Sequence, residues 1–357
     1  MSKPSAVLAE HWTTLDGVEV FYRESPGPAD GSVMVHLHGF GMSGAYLVPT
    51  AERLAGEFHT FVPDLPGFGR SGNSIQPLDV TDLAHAAAAF LDDRDIASAT
   101  LVGNSMGCAV ITEFAYLYPE RLDRAVLVAP AGGLHNQPLH RAMRQLVTDG
   151  VREPPKLVPV AVPDYLRFGV PSTLRLFRAL TKYPSLDRLL AMQVPTMAVI
   201  GNRDPLMPGP ERLKEVAGQT ANHALLVIIE GAAHAVNFSH PDELANVIRL
   251  FMADQPVVDD ANSHGVARTY ELHRGTLCAA VRGRLAAYPL VYRPHRDRQL
   301  RERLGSGTRL NNHFGCRHDR SGYPTGYPNR GRYGPPSGPP RPEHSCSPSN
   351  ISVSFGA

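Results

Sequence analysis

Apolar runs that lack polar alternation recur along this chain with helix-like stretches between them, and this interleaving constrains the fold more than any other feature. The runs are Val33 to Leu37, Phe58 to Pro63, Thr100 to Gly103, Ala125 to Ala129, Thr196 to Ile200 and Ala224 to Ile229. Helix-like stretches lie near Tyr46 to Ala55, Val80 to Leu91, after Ser105, near Glu211 to Ala217 and near Pro241 to Met252. A strand with no polar side is covered on both faces, so the expectation is a mostly parallel sheet with helices on either side. GVEVFYR at 17 to 23 alternates as a half-buried strand does, and the turn SPGPADG at 25 to 31 leads from it into VMVHLHG. Two edge strands are therefore expected ahead of the first buried one.

The interleaving lapses between about 133 and 190, where Pro154, Pro155, Pro159, Pro163, Pro171 and Pro184 punctuate short amphipathic pieces; this reads as an insertion over the sheet. After Phe251 the periodicity ends. Residues 256 to 357 contain 15 Arg, no Lys and seven acids, a net +8, so the whole-chain balance of +1 leaves residues 1 to 255 at −7. The expected division is thus a folded domain over 1–255 and a disordered Arg/Pro/Gly-rich tail over 256–357, too poor in aliphatic residues to offset its ordering entropy. A near-neutral chain of 357 residues argues against nucleic-acid binding as the main function. Only Cys108 of the four cysteines precedes the tail, so no disulfide framework holds the domain. The N-terminal MSKPSAVLAEHW lacks a signal-peptide pattern, and no apolar stretch approaches the roughly 18 residues that span a bilayer. A soluble cytoplasmic protein without a membrane partner is expected; oligomeric state is not readable.

Gly103-Asn104-Ser105-Met106-Gly107 sits between ATLV and CAVITEFAYLY, a strand-turn-helix context that fits the G-x-S-x-G nucleophile elbow. A turn this tight forces the serine into a strained backbone conformation, and the flanking glycines keep side chains out of the crossing strand and helix. A serine hydroxyl needs a histidine base, and the histidine needs a carboxylate to fix its tautomer. Asp204 follows one apolar run in VPTMAVIGNRDPLMP and His234 follows the next in LLVIIEGAAHAVNF, which places both at the sheet edge of Ser105. Oxyanion donors are expected from the amides of Met106, after the nucleophile, and Phe40, in the loop HGFG. His38, Gly39, Gly41 and Asn104 are expected to line the site, His38 as a buried residue shaping the loop; His240 reads as a helix cap.

Through HGFG at 38–41, DLPGFGRS at 64–71, GNSMG at 103–107, GNRD at 201–204 and GAAH at 231–234, the chain resembles the α/β-hydrolase superfamily over roughly residues 15 to 253. The resemblance implies an eight-stranded, mostly parallel sheet with helices on both faces and a helical cap between strands six and seven. It also implies Ser105 as nucleophile, His234 as base and Asp204 as acid. Haloalkane dehalogenases and epoxide hydrolases carry aspartate where Ser105 stands, which argues against those activities. GNSMG with YPERLDRAVLVAPAGG looks like the carbon–carbon bond hydrolases of aromatic ring-fission products, but Ala235 follows the histidine where those enzymes usually have Trp. Carboxylic-ester hydrolysis through an acyl-enzyme is therefore expected first and carbon–carbon hydrolysis second, on a small molecule and without metal or organic cofactor.

Three other readings compete. Gly39-x-Gly41-x-x-Gly44 with Asp64 twenty residues on satisfies a dinucleotide-binding fingerprint, but a nicotinamide-dependent oxidoreductase leaves Ser105, Asp204 and His234 without a role. A non-catalytic ligand receptor would keep the same residues. In the tail, Arg and Tyr suggest RNA contact, and His313, Cys316 and His318 suggest a metal, on a spacing that matches no standard zinc pattern. A solvated, disordered extension is the simpler reading, and the absence of Lys, repeats and periodicity also admits an unselected one. Leu139, Met143, Leu146, Tyr165, Phe168, Leu174, Phe177 and Tyr183 are available to line or pack the cap, and Arg141, Arg144 or Arg175 to meet a substrate carboxylate.

Overall fold

A computed structural model describes residues 8–28, 31–73, 78–131, 136, 138–208, 224–257 and 267–272. The chain divides into compact units at Leu290, and all the described residues belong to the first. Its strands are β1 (Ala9–Leu15), β2 (Val18–Ser25), β3 (Val33–Leu37), β4 (His59–Pro63), β5 (Ala99–Asn104), β6 (Leu122–Val128), β7 (Thr196–Gly201), β8 (Ala224–Ile229) and β9 (Ala267–Leu272). They form one sheet in the order β1-β2-β4-β3-β5-β6-β7-β8-β9. β3 to β8 run parallel, while β1, β2 and β9 add antiparallel edges. All six residues of β5 are buried, as a strand without polar alternation requires, whereas the first four of β1 are exposed at the edge.

Helices α1 (Val48–Leu54), α2 (Val80–Asp93) and α3 (Met106–Leu117) cover the sheet with the later α8 (Val236–Ser239) and α9 (Pro241–Met252). α2 and α3 bury Phe90, Val110 and Phe114 in one core, and α9 buries Leu244, Val247 and Ile248 against Met197 and Val199 in the other. α2 starts on a capping box: Asp79 accepts the amides of Thr81 and Asp82 at 2.8 and 3.0 Å, and Asp82 accepts that of Asp79 at 2.9 Å. Between β6 and β7 the described residues form four α-helices, α4 (Leu139–Arg152), α5 (Val158–Phe168), α6 (Val170–Lys182) and α7 (Ser185–Ala191), where the insertion was expected. Buried Glu113 of α3 anchors their end, accepting from Tyr183 Oη and Arg188 Nε, each at 2.8 Å.

Two expectations change. The helix expected near Tyr46 begins as a tight turn over Gly44–Leu47 and becomes α-helical only at Val48, with Pro49 in its first turn, where a missing N–H costs nothing. Residues 267–272, expected to be disordered, add β9: ARTYEL carries Thr and Tyr, and the open edge of β8 offers unpaired backbone groups along Ala224 to Ile229. The helix expected near Glu211 to Ala217 lies outside the described residues, as does the tail after 272. Among the described residues no helix is long and apolar enough to cross a membrane.

Candidate active site

Ser105 stands between β5 and α3 with φ 55° and ψ −112°, a conformation that costs a non-glycine residue of order 1–3 kcal/mol. The strain is held by hydrogen bonds on both sides. Ser105 N donates to Val128 O at 2.9 Å and Cys108 N donates to Ser105 O at 3.0 Å. The glycines flanking the serine are sterically required: a Cβ on Gly103 would lie 2.6 Å from the Gly107 carbonyl carbon, and one on Gly107 would collide with Leu37 O of β3. The serine is thereby raised at the carboxyl end of the sheet, over the N-terminus of α3.

The loop after β3 faces it. Gly39 N donates to Tyr46 Oη at 2.7 Å, Tyr46 Oη donates to Asn104 Oδ1 at 2.7 Å, and Asn104 Nδ2 donates to His234 O at 3.0 Å. One relay thus ties the HGFG loop, the elbow and the histidine loop. Tyr46 went unrecognised in the sequence, since a tyrosine 58 positions from its partner has no local signature. The amides of Phe40 and Met106 have no hydrogen-bond partner among the described residues, so two donors remain free beside Ser105. His38 and Gly41, expected to line the site, do not line its cavity. Leu65 N donates to His38 Nε2 at 2.9 Å, which puts the ring proton on Nδ1, 3.0 Å from Gly39 O. Burial lowers the His38 pKa and keeps the ring neutral, so His38 shapes the loop from behind. Gly41, at φ 70°, lies where a Cβ would meet the Tyr165 ring at 2.5 Å; its bareness admits the cap.

Asp64, the acid of the rival dinucleotide fingerprint, accepts the amides of Gly44 at 2.8 Å and Arg70 at 2.9 Å and is fully buried. The fingerprint's third glycine and its acid therefore satisfy each other, leaving neither for a nucleotide.

Asp204 follows β7 and His234 follows β8, as expected. His234 Nδ1 and Asp204 Oδ2 are 2.7 Å apart, and Leu206 N donates to Asp204 Oδ1 at 2.8 Å, fixing the carboxylate. Nε2 is left as the free nitrogen of a ring that lines the same cavity as Ser105. Two acids, Asp149 of α4 and Glu153 just past its end, press on this loop from the cap. His234 N donates to Asp149 Oδ1 at 3.2 Å and Ala235 N to Glu153 Oε1 at 2.6 Å. Burial opposes the imidazolium, but the carboxylates of Asp204, Asp149 and Glu153 outweigh it and raise the His234 pKa to about 9. Burial likewise raises Asp149, and pushes Glu153 up to about 7; Glu153 Oε2 is buried with no partner.

The cavity above Ser105 has a volume of about 340 Å³ and a mostly apolar wall, with Leu146, Leu157, Tyr165, Phe177 and Leu180 from the cap. Of the cap residues expected to line or pack it, Leu146, Tyr165 and Phe177 line it, Met143, Phe168 and Tyr183 pack the core beside it, and Leu174 is half exposed. The Leu139 side chain lies outside the described residues. Arg141, Arg144 and Arg175 are exposed and line none of it. His240 stands at the start of α9 without capping it; its Nδ1 lies 2.9 Å from Ser239 Oγ instead. His313, Cys316 and His318 lie outside the described residues.

Residues 34–247 match the model of the alpha/beta hydrolase family. The chain is 26% identical over 263 residues to a poly(3-hydroxyalkanoate) depolymerase of Ectopseudomonas oleovorans, covering 68% of this chain and 91% of that one. It is 28% identical over 255 residues to a pimeloyl-[acyl-carrier protein] methyl ester esterase of Photobacterium profundum, covering 62% and 95%. A dihydrolipoyllysine-residue acetyltransferase component of the acetoin cleaving system of Pseudomonas putida is 26% identical over 245 residues, and the chain spans only 65% of its length. Among solved structures, a membrane phospholipase A described as a bacterial virulence factor superposes with a TM-score of 0.61 at 24% identity, over 70% of this chain and 87% of that one, a likeness of fold.

Proposed function

The chain belongs to the alpha/beta hydrolase family, and on that premise we propose that it is a serine hydrolase acting on carboxylic esters of small apolar molecules. The observation that carries the reading is the 2.7 Å pair of His234 Nδ1 and Asp204 beside a cavity that a strained, raised Ser105 also lines. Ser105 Oγ attacks the ester carbonyl as His234 Nε2 takes its proton, and the amides of Phe40 and Met106 hold the oxyanion of the tetrahedral intermediate. The intermediate collapses with the C–O bond breaking and the proton passing from His234 to the leaving alkoxide. Water then attacks the acyl-enzyme by the same route and releases the acid. Asp204 keeps the imidazole in the tautomer that leaves Nε2 open. The apolar wall suits an acyl or alkyl chain, and the esterase among the relatives accords with an ester.

Labelling of the full chain with a fluorophosphonate, mapped by mass spectrometry, tests this. Modification of Ser105 that disappears in His234→Ala is expected. A folded protein that resists the probe refutes the nucleophile assignment and favours a receptor.

A further inference from the structure

Seven of the nine large apolar side chains exposed among the described residues belong to the cap. Val147 and Val151 stand one turn apart on α4, and Val158, Val162 and Leu166 one turn apart on α5, each between 48% and 83% exposed. Val147, Val158 and Val162 also line the Ser105 cavity, so the exposed stripe is continuous with its wall. Around it the charge is one-sided. From Leu139 to Met192 the chain has nine Lys and Arg against four Asp and Glu. Asp149, Glu153 and Asp164 are turned inward, which leaves eight exposed cations, Arg144, Arg152 and Lys156 among them and Arg167 paired with Asp164 at 3.7 Å, against Asp187 as the one exposed acid.

We propose that this outer face of the cap docks on an anionic lipid–water interface, from which an acyl ester enters the Ser105 cavity between Val147, Val158 and Val162. Apolar residues that insert and cations that meet acidic headgroups are the two requirements of a surface that lies on a bilayer. The cap meets both here, which revises the expectation of no membrane partner. Other occupants fit less well. A second cap presents the same positive charge, and the basic residues 256–357 share its sign. Outside the cap only Trp12 and Tyr116 are large, apolar and exposed among the described residues, so the rest of the described surface of a second copy offers little apolar area to match. Entry of the ester rests on the hydrolase reading above; docking does not.

The test uses the full chain carrying Ser105→Ala, so that no lipid is consumed, co-sedimented with phosphatidylcholine vesicles with and without phosphatidylglycerol. Binding that requires phosphatidylglycerol and weakens with salt is expected. Arg144→Gln with Lys156→Gln should weaken it about 25-fold, at about fivefold per cation. Val151→Glu with Leu166→Glu should abolish it; in the Ser105 protein that pair leaves turnover of a soluble ester and the thermal transition unchanged, since neither residue lines the cavity. The proposal fails if phosphatidylglycerol vesicles are not bound. It fails equally if the Val151→Glu, Leu166→Glu protein binds as well as its parent, which assigns the contact to the basic tail, or if those substitutions instead dissolve a dimer. Fluorophosphonate resistance combined with normal vesicle binding would sink the hydrolase reading and leave the docking face intact.

Discussion

Glu153→Gln isolates the cost of holding a carboxylate between the cap and the histidine loop. The Glu153 carboxyl is pushed up to about 7 chiefly by burial, with Asp149 and Asp204 adding repulsion, against partial relief from the Ala235 amide and His234. Between its ordinary 4.5 and about 7 the folded chain binds more protons than the unfolded one, so stability falls as pH rises through that window. At 1.36 kcal/mol per pH unit the loss is about 3 kcal/mol, complete above pH 7. Gln keeps the acceptor for Ala235 N and places an amide where Oε2 now lies unpartnered, a penalty of about 1–3 kcal/mol that does not vary with pH. Below about pH 5.5 His234 is protonated in both the folded and the unfolded chain and adds no slope, so the lower half of the window reads Glu153 alone. Denaturant unfolding of the two proteins from pH 4.5 to 8 reads the difference directly. The variant should gain about 3 kcal/mol relative to the parent as pH rises, on top of a constant offset. A flat difference, or one of opposite slope, refutes the argument that Glu153 is buried as a strained acid.

Other outcomes follow from the same geometry. Asp204→Asn should leave the fold intact and cut ester turnover by about 10⁴, the loss seen when a triad histidine is left in the wrong tautomer; near-normal turnover would mean another acid serves His234. Because three carboxylates hold His234 at about 9, kcat/KM should climb with pH up to that value and level off, and Asp149→Asn should move the limb lower; a limb unmoved in the variant removes Asp149 from the account. Tyr46→Phe strands the Gly39 amide and Asn104 Oδ1 and should cost about 1–3 kcal/mol in denaturant unfolding. Gly107→Ala, with its methyl driven into Leu37 O, should give no soluble folded protein; a normal thermal transition would contradict the packing described at the elbow.

What the sequence discloses is what local physics decides. ATLVGN reads as a buried strand because it shows no polar side, and GNSMG reads as an elbow because only glycines clear the crossing backbones at 103 and 107. Asp204 and His234 were legible from their order and their place at strand ends, and the structure brings them to 2.7 Å. β9 was hidden because its pairing is an edge contact between residues 38 positions apart, at Ile229 and Ala267, to 48 apart, at Ala224 and Leu272, inside a stretch whose composition argues for disorder. Tyr46, Asp149 and Glu153 escaped for a similar reason: each acts on a backbone group or side chain 58 to 85 positions away.

Helix α4 shows how far the limit goes. Its inward row of Ala142, Leu146 and Asp149 continues to Glu153 just past its end, and its outward row is Arg144, Val147 and Val151, so acids face the protein while valines face solvent. Helical periodicity alone orients such a helix the other way, valines in and carboxylates out. Two free amides at His234 and Ala235 reverse it, because they give Asp149 and Glu153 an inward partner that solvent would otherwise supply. The inversion has two consequences at once: it raises the pKa of the histidine beside Ser105, and it strips the cap's outer surface of negative charge while leaving its valines bare. The electrostatics of the site and the character of the docking face therefore stem from the same orientation of one helix.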